Sequence, residues 1–425
     1  MSKGNAIKND IAVLRDVVKH YLEICRRDSQ NERRELWRKH NSLIRTRPLV
    51  LVQCNWGARN ETPAMDLRCV DPFFQWHEKL LRWEIYQDTI GDDCIFEPWI
   101  TQAAKLVTPL EPPADALPDG VNDGLWGVRG RYTPAPQQGG AWKYDPPIRE
   151  LKDVAKLIRP RHLIDEEATR HAEQRLQDAV GDLIAINVRR APAWSGCAAD
   201  ISTHLGYLRG LDQIMLDMLD NPQWLHGLLA FMRDGILEAQ AEAEVKGDWR
   251  LCDHENQAMP YAQELPSPAA NSKPVARKQL WVFMSAQEFT LVSPEMHDEF
   301  MLRYQLPIIE KFGLCAYGCC EDLTKKIDML RKIPNLRRIA VTPWADVGKC
   351  AEHIRQNYVL SWRPNPAMVS YGFDAAHIRK TVEEALNASK GCHVDITLKD
   401  IETVGNDPWR LKEWVRIVRD VADEF

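Results

Sequence analysis

An α/β barrel of the (β/α)8, or TIM, type is the fold this sequence predicts, and three observations predict it. Short apolar runs that read as buried parallel strands begin near residues 49, 94, 183, 249, 313, 338, 357 and 392. Helical patterns separate nearly all of them, and such alternation is the signature of a parallel sheet wrapped by helices. A length of 425 residues accommodates one such barrel with insertions. The alternative is a doubly wound open sheet, but no glycine-rich dinucleotide fingerprint follows any strand. No internal repeat shows at a short period.

Residues 1–46 read as an N-terminal helical extension packed on the barrel, with Ile11, Val13, Leu14, Val17, Val18, Tyr21 and Leu22 at helical spacing. The barrel then occupies 47–425. Its first strand runs from Leu49 into Asn55 and Trp56. A helix over 71–90 follows, opened by Asp71-Pro72 with proline at its first position, where helices tolerate it. The second strand is Cys94 to Trp99. Residues 102–150 are rich in Pro and Gly, including Glu111-Pro-Pro and Ala135-Pro-Gln-Gln-Gly-Gly140, with Trp126, Tyr132, Trp142 and Tyr144 between. This is an insertion after the second strand, expected as a hairpin or lid over the site.

The third strand, Leu183 to Arg190, carries Asn187 and Arg189. The long region 205–246 is mostly helical and is interrupted at Asn221-Pro222. The fourth strand is Trp249 to His254, followed by a polar loop to Pro274. An apolar segment with Trp281, Phe283 and Phe289 leads into a helix over 294–311. The fifth strand, Phe312 to Tyr317, breaks at Gly318 into Cys319, Cys320, Glu321 and Asp322. Strands from Arg338, Asn357 and Gly391 complete the eight, and an amphipathic helix over 408–425 closes the chain.

Composition narrows the function classes. A net charge of −6 shows no bias toward nucleic acid or an anionic membrane, and no apolar run approaches the ~20 residues a spanning helix needs. The first residues lack the apolar core of a secretory signal, so the eleven scattered cysteines are expected as reduced thiols in a cytoplasmic enzyme. Fifteen tryptophans, among them Trp56, Trp99, Trp194, Trp344 and Trp362, suggest either a pocket with aromatic walls or a large core.

In a parallel barrel the carboxyl ends of the strands face one mouth, where catalytic groups collect. The groups expected there are Asn55 and Trp56, Glu97, Arg189 and Arg190, Cys252 with Asp253 and His254, Tyr317 with Cys319, Cys320 and Glu321, Asp346, Ser361 with Arg363, and Cys392 with His393. Alternation places Tyr317, Cys319 and Glu321 on one side and Gly318 and Cys320 on the other, with Tyr317 and Cys319 expected inward. Two thiolates from separate strands, Cys319 and Cys392, are the soft-donor half of a zinc site with an open position; His254, Glu288, Glu321 or His393 is left to supply a third ligand. A buried cysteine is more often a small hydrophobe than a ligand, and the adjacent pair Cys319-Cys320 lacks CxxC spacing. On residues alone the reading stops at an α/β barrel enzyme of unspecified chemistry.

Several phrases together resemble the uroporphyrinogen decarboxylase superfamily. They are Trp37-Arg-Lys-His-Asn-Ser-Leu ahead of Arg47-Pro-Leu-Val, Ala286-Gln-Glu-Phe-Thr-Leu-Val-Ser-Pro294, Tyr317-Gly-Cys-Cys-Glu321, Pro334-Asn-Leu-Arg-Arg with Pro343-Trp-Ala-Asp346, and Cys392 through Leu398-Lys-Asp400. The likeness is nearest to the branch of cobamide-dependent methyltransferases and O-demethylase components. Porphyrinogen decarboxylation is not implied, because Gln53-Cys-Asn-Trp-Gly-Ala-Arg-Asn60 lacks the family's carboxylate-binding pattern.

The resemblance implies transfer of a methyl group from a small methylated donor, such as an aromatic methyl ether, to a corrinoid (cobalamin) held by a partner protein. It also implies zinc: Cys319 and Cys392 fall on the family's two cysteines, and Tyr317 stands where the family has histidine. Glu288 or His254 is then the expected third ligand. Zinc, or an acid among Tyr317, Glu321 and His254, would activate the leaving group. Trp56, Glu97, Asn187, Arg189, Trp344 and Arg363 are the expected substrate contacts. The alternatives are a decarboxylase or lyase acting on a small aromatic acid, with Arg189 or Arg363 as carboxylate clamp, and a barrel that binds a small molecule or corrinoid without turnover. A homo-oligomer is compatible with the sequence.

Overall fold

The computed structural model describes residues 3–110, 124–133 and 143–425. Its strands are β1 (Leu49–Cys54), β2 (Trp99–Ala103), β3 (Arg131–Thr133), β4 (Lys143–Asp145), β5 (Ala185–Arg189), β6 (Trp281–Met284), β7 (Leu314–Tyr317), β8 (Leu336–Val341), β9 (Val359–Trp362) and β10 (His393–Ile401). Six of them form one parallel sheet in the order β1-β10-β9-β8-β7-β6, curled into a half-barrel. β2 and β5 make a separate parallel pair, and β3 and β4 an antiparallel hairpin.

The closed eight-stranded barrel expected from sequence is therefore not what the ladders show. Among the described residues no ladder joins β1 to β2 or β5 to β6. Side chains and loops take the place of ladder partners there. At the β1 edge, Val50 N donates to Asp93 Oδ2 (2.8 Å) and Val52 N to Asp92 Oδ2 (3.0 Å). At the β5–β6 gap, Asn271 Nδ2 donates to Ile186 O (2.9 Å), and Trp281 N donates to His254 Nδ1 (3.2 Å). Both solutions satisfy buried backbone groups that would otherwise be orphaned.

Two strand assignments are corrected. The segment Trp249–His254 is a turn: Asp253 Oδ2 accepts from Arg250 N (2.7 Å) and Ser272 Oγ from Leu251 N (2.9 Å). Such side-chain bonds compete with a ladder. The strand falls instead on the apolar segment at Trp281. The second strand begins at Trp99, where it was expected to end.

The N-terminal extension is two helices, Lys3–Cys25 and Asp28–Asn41. The end of the second enters the half-barrel from the amino side of the strands. Trp37 Nε1 donates to Asp93 O (2.7 Å), and Asn41 Nδ2 donates to Met259 O and Tyr261 O (2.8 Å each). His40 Nε2 meets Asp395 Oδ2 (3.1 Å), Arg338 pairs with Asp395 (2.8 Å), and Ser361 Oγ donates to Asp395 Oδ1 (2.8 Å). Burial pushes Asp395 up, but Arg338 and His40 more than offset it and hold it down at about 2. Burial lowers the pKa of His40, with Asp395 pulling the other way. Of the expected lid, residues 111–123 and 134–142 lie outside the described residues. No helix among those described is long and apolar enough to cross a membrane.

Candidate active site

β7 shows how the sequence delivers a thiol to the mouth. Cys315 and Tyr317 face the helices outside the sheet, whereas Leu314 and Ala316 face inward beside Trp281 and Phe283. Strict alternation would send Cys319 outward with Tyr317. Gly318, at φ +103°, breaks the alternation, and Cys319 joins the inward cluster. A side chain at Gly318 would also meet Leu323 Cδ1 at 2.8 Å and Ala340 Cβ at 2.9 Å, so the position requires glycine on two counts.

Tyr317 is thus corrected from an inward acid to a buried outer-face residue. Its hydroxyl donates to Gln305 Oε1 (2.9 Å) and accepts from His297 Nε2 (2.9 Å). Burial, with the charge of Glu321, raises its pKa well above the usual phenol value; burial lowers that of His297 to about 3. Gln305 in turn donates to Asp200 O and Ser285 O, 2.7 Å each. The group braces strand to helix.

Cys319 is 9% exposed and is surrounded by donors. Lys399 Nζ lies 3.4 Å from its sulfur, Gln257 Nε2 3.5 Å and the Cys320 sulfur 3.7 Å. Arg363 Nη1 donates to the Cys319 carbonyl at 2.5 Å. The Cys320 hydrogen bond, opposed by burial and aided by Lys399 and Arg363, holds Cys319 well below the ordinary thiol range. Cys320, exposed, is pushed up by the same pairing. Lys399 stays an ammonium: burial and Arg363 lower its pKa, but Cys319 and Asp400 (3.2 Å) raise it further. Of the two adjacent thiols, Cys319 is therefore the one whose surroundings favour ionisation.

Acids surround this sulfur. Glu321 is fully buried and accepts from Ala286 N (2.8 Å) and Cys319 N (2.7 Å). It fixes the Cys319 backbone and cannot approach a substrate without breaking both bonds. Glu288, half-buried, accepts from the Ser202 hydroxyl and lines a groove of about 350 Å³ with Tyr144, Thr203, Gly206 and Tyr207. Burial raises its pKa, as do the charges of Glu321 and Cys319. Burial and the charge of Glu288 raise fully buried Asp200, which accepts from Ser285 Oγ and Thr203 Oγ1 (2.8 Å each). Ile201, between Asp200 and Ser202, adopts φ +65°, a strained conformation for a β-branched residue, of the kind found beside working sites.

The other expected residues divide by strand end. Trp56, following β1, stands at the mouth against Trp76, with Lys79 Nζ 4.1 Å above its ring. Arg189, ending β5, is neutralised by Glu255 and by Asp253 (3.4 Å). Asn187 lies mid-strand and accepts from Asn271 N (3.1 Å). Trp344 is an exposed rim residue after β8.

Three expectations are corrected in place. Glu97 precedes β2, at the amino end, where Arg34 (2.8 Å) and Tyr261 hold it. His254 caps the start of β6 and is bonded on both nitrogens, to Trp281 N and Pro266 O (3.0 Å); burial lowers its pKa to about 4. Cys392 precedes β10. Lys399, seven residues along that strand, is the residue that reaches Cys319, so Cys392 lies on the order of 20 Å away. Cys319, Cys392 and Glu288 thus do not converge, and among the described residues no three His, Cys, Asp or Glu side chains gather to hold a metal ion.

Reading residues alone missed Lys399, Gln257 and Asp200. Inward parity from Asp395 through Thr397 to Lys399 would have found the first, had β10 been extended past Thr397. The other two sit on loops with no local signal.

No family model matches the chain, and no curated protein matches it. Among solved structures, a methyltransferase from Methanosarcina mazei aligns over 91% of this chain and 97% of its own, at 11% identity and a TM-score of 0.49.

Proposed function

We propose that the chain is a methyltransferase in which Cys319 takes the methyl group. The observation that carries this reading is a cysteine sulfur on the inner face at the carboxyl end of a parallel strand, with the Lys399 ammonium at 3.4 Å and the Gln257 amide at 3.5 Å to favour its ionised form. A small methylated donor would enter beside the Glu288 groove. The Cys319 sulfur attacks the methyl carbon in line; the S–C bond forms as the C–O or C–N bond breaks, and the electron pair leaves with the heteroatom. Glu288, whose proton affinity burial raises, is the acid proposed to protonate that leaving atom. The methyl is then taken from sulfur by the acceptor, which the sequence resemblance suggests is a corrinoid on a partner protein, and the thiolate returns. Leu291, Trp344 and Tyr371, exposed in segments that follow β6, β8 and β9, are apolar groups such a partner would meet. The zinc that the resemblance implies finds no ligand set in Cys319, Cys392 and Glu288, and no step is drawn through it.

The test is methylation of cob(I)alamin from methoxyarenes and methylamines, followed by absorbance, with Cys319 methylation read by peptide mass spectrometry. Cys319→Ala should abolish both signals. If every donor tested leaves Cys319 and cob(I)alamin unmethylated, or the alanine variant turns over normally, the reading is wrong.

A further inference from the structure

Arg363 follows β9 on the inner face and is 4% exposed. Among the described residues its neighbours account for one nitrogen: Nη1 donates to the Cys319 carbonyl at 2.5 Å. Nε is buried without a partner, and among the described residues no carboxylate lies within ion-pair distance of the guanidinium. The other basic residues nearby are accounted for. Arg189 is matched by Asp253 and Glu255, Arg338 by Asp395, and Lys399 by Asp400 and the Cys319 sulfur.

A buried cation without a contacting carboxylate is costly, and it is retained where something else completes it. The Cys319 sulfur is bonded by Lys399 and Gln257 and does not reach the Nε–Nη2 edge of Arg363, where Nε stays unpartnered. That edge is the planar fork that matches a carboxylate through two parallel hydrogen bonds.

We infer that Arg363 forms a carboxylate subsite beside Cys319, so that the molecule delivered to the thiolate is a small organic acid. This rests on the proposed role of Cys319 for its mechanistic meaning. The subsite itself is a matter of binding and can be tested without any methyl transfer. It narrows the donor to an acid carrying its methyl on oxygen, nitrogen or sulfur, and disfavours simple alcohols and amines.

Iodoacetate and iodoacetamide differ in charge and little in size. Their alkylation rates at Cys319, read by peptide mass spectrometry, are compared with those of free glutathione in the same buffer. The iodoacetate-to-iodoacetamide ratio at Cys319 should exceed that of glutathione by about tenfold, the worth of one charge-assisted contact. Benzoate should protect Cys319 from iodoacetamide. Arg363→Gln should bring the ratio down toward that of glutathione, and Arg363→Lys should restore part of it. A wild-type ratio no higher at Cys319 than for glutathione, or one unchanged in Arg363→Gln, overturns the subsite. Should the glutamine variant fail to fold, the wild-type ratio and benzoate protection decide alone. A high ratio with no methyl transfer leaves the subsite standing and removes the reaction; transfer without the ratio does the reverse.

Discussion

Lys399 and Cys320 can be removed one at a time to ask what makes Cys319 a thiolate. The sulfur accepts from the ammonium of Lys399 at 3.4 Å and lies 3.7 Å from the Cys320 sulfur. A hydrogen bond to a charged group contributes about 1.5–3 kcal/mol. At about 1.4 kcal/mol per pH unit, losing either contact should move the Cys319 titration upward by roughly one to two units. The thiolate is the form present above the pKa, so wild-type alkylation by iodoacetamide should persist below pH 7 and fall only in more acid solution. Lys399→Met and Cys320→Ala should each shift that fall toward the ordinary thiol range near 8.5. The assay is the second-order rate of iodoacetamide modification of the Cys319 peptide from pH 4 to 10. A wild-type midpoint at or above 8, or midpoints unmoved in both variants, would refute the reasoning. A shift in Cys320→Ala alone would assign the effect to the neighbouring thiol and remove Lys399 from it.

Other outcomes follow from the same geometry. Tyr317→Phe should cost about 1–3 kcal/mol in denaturant unfolding, since His297 and Gln305 lose a buried partner, while leaving Cys319 alkylation unchanged. Slowed alkylation in that variant would return Tyr317 to the site. Gly318→Ala should destabilise by about 1–3 kcal/mol and displace Cys319, seen as a loss of its low-pH reactivity. Asp395 is held at about 2 when folded, against about 4 when unfolded, so its contribution is complete above pH 4 and is lost as pH falls toward 2. Asp395→Asn should flatten that acid limb of the stability curve and cost about 3–5 kcal/mol at neutral pH, because Arg338 is left buried and unpaired. Cys392→Ser should change neither Cys319 reactivity nor any zinc content of the purified protein; a loss of bound zinc would mean the two cysteines meet after all.

Much of the parallel α/β character was legible because buried parallel strands are written as apolar runs. What failed was the count at residue 249 and the phase at residue 94. Trp249–His254 has strand-like composition, but Asp253 and Ser272 bond its backbone locally, and no pattern in the run reveals that. Phe96 and Glu97 look like a strand end, whereas Glu97 is fixed to Arg34, more than sixty residues away. The positions of Cys319, Glu321 and Arg363 at strand ends were legible, because each abuts a strand. It was illegible where one glycine reset alternation, turning Tyr317 outward, and where β10 ran on to Ile401 and brought Lys399, in place of Cys392, to the mouth.

The plug at the amino end of the strands has a kinetic consequence. His40 meets Asp395 across 355 residues of chain, and Asn41 meets Arg338 across 297. During synthesis the first helices emerge long before the strands that surround them, and their polar tips stay hydrated until β8, β9 and β10 arrive. Contacts of such sequence separation form late and slow the closing step. A chain begun at residue 47 would be missing the residues against which its last strands set.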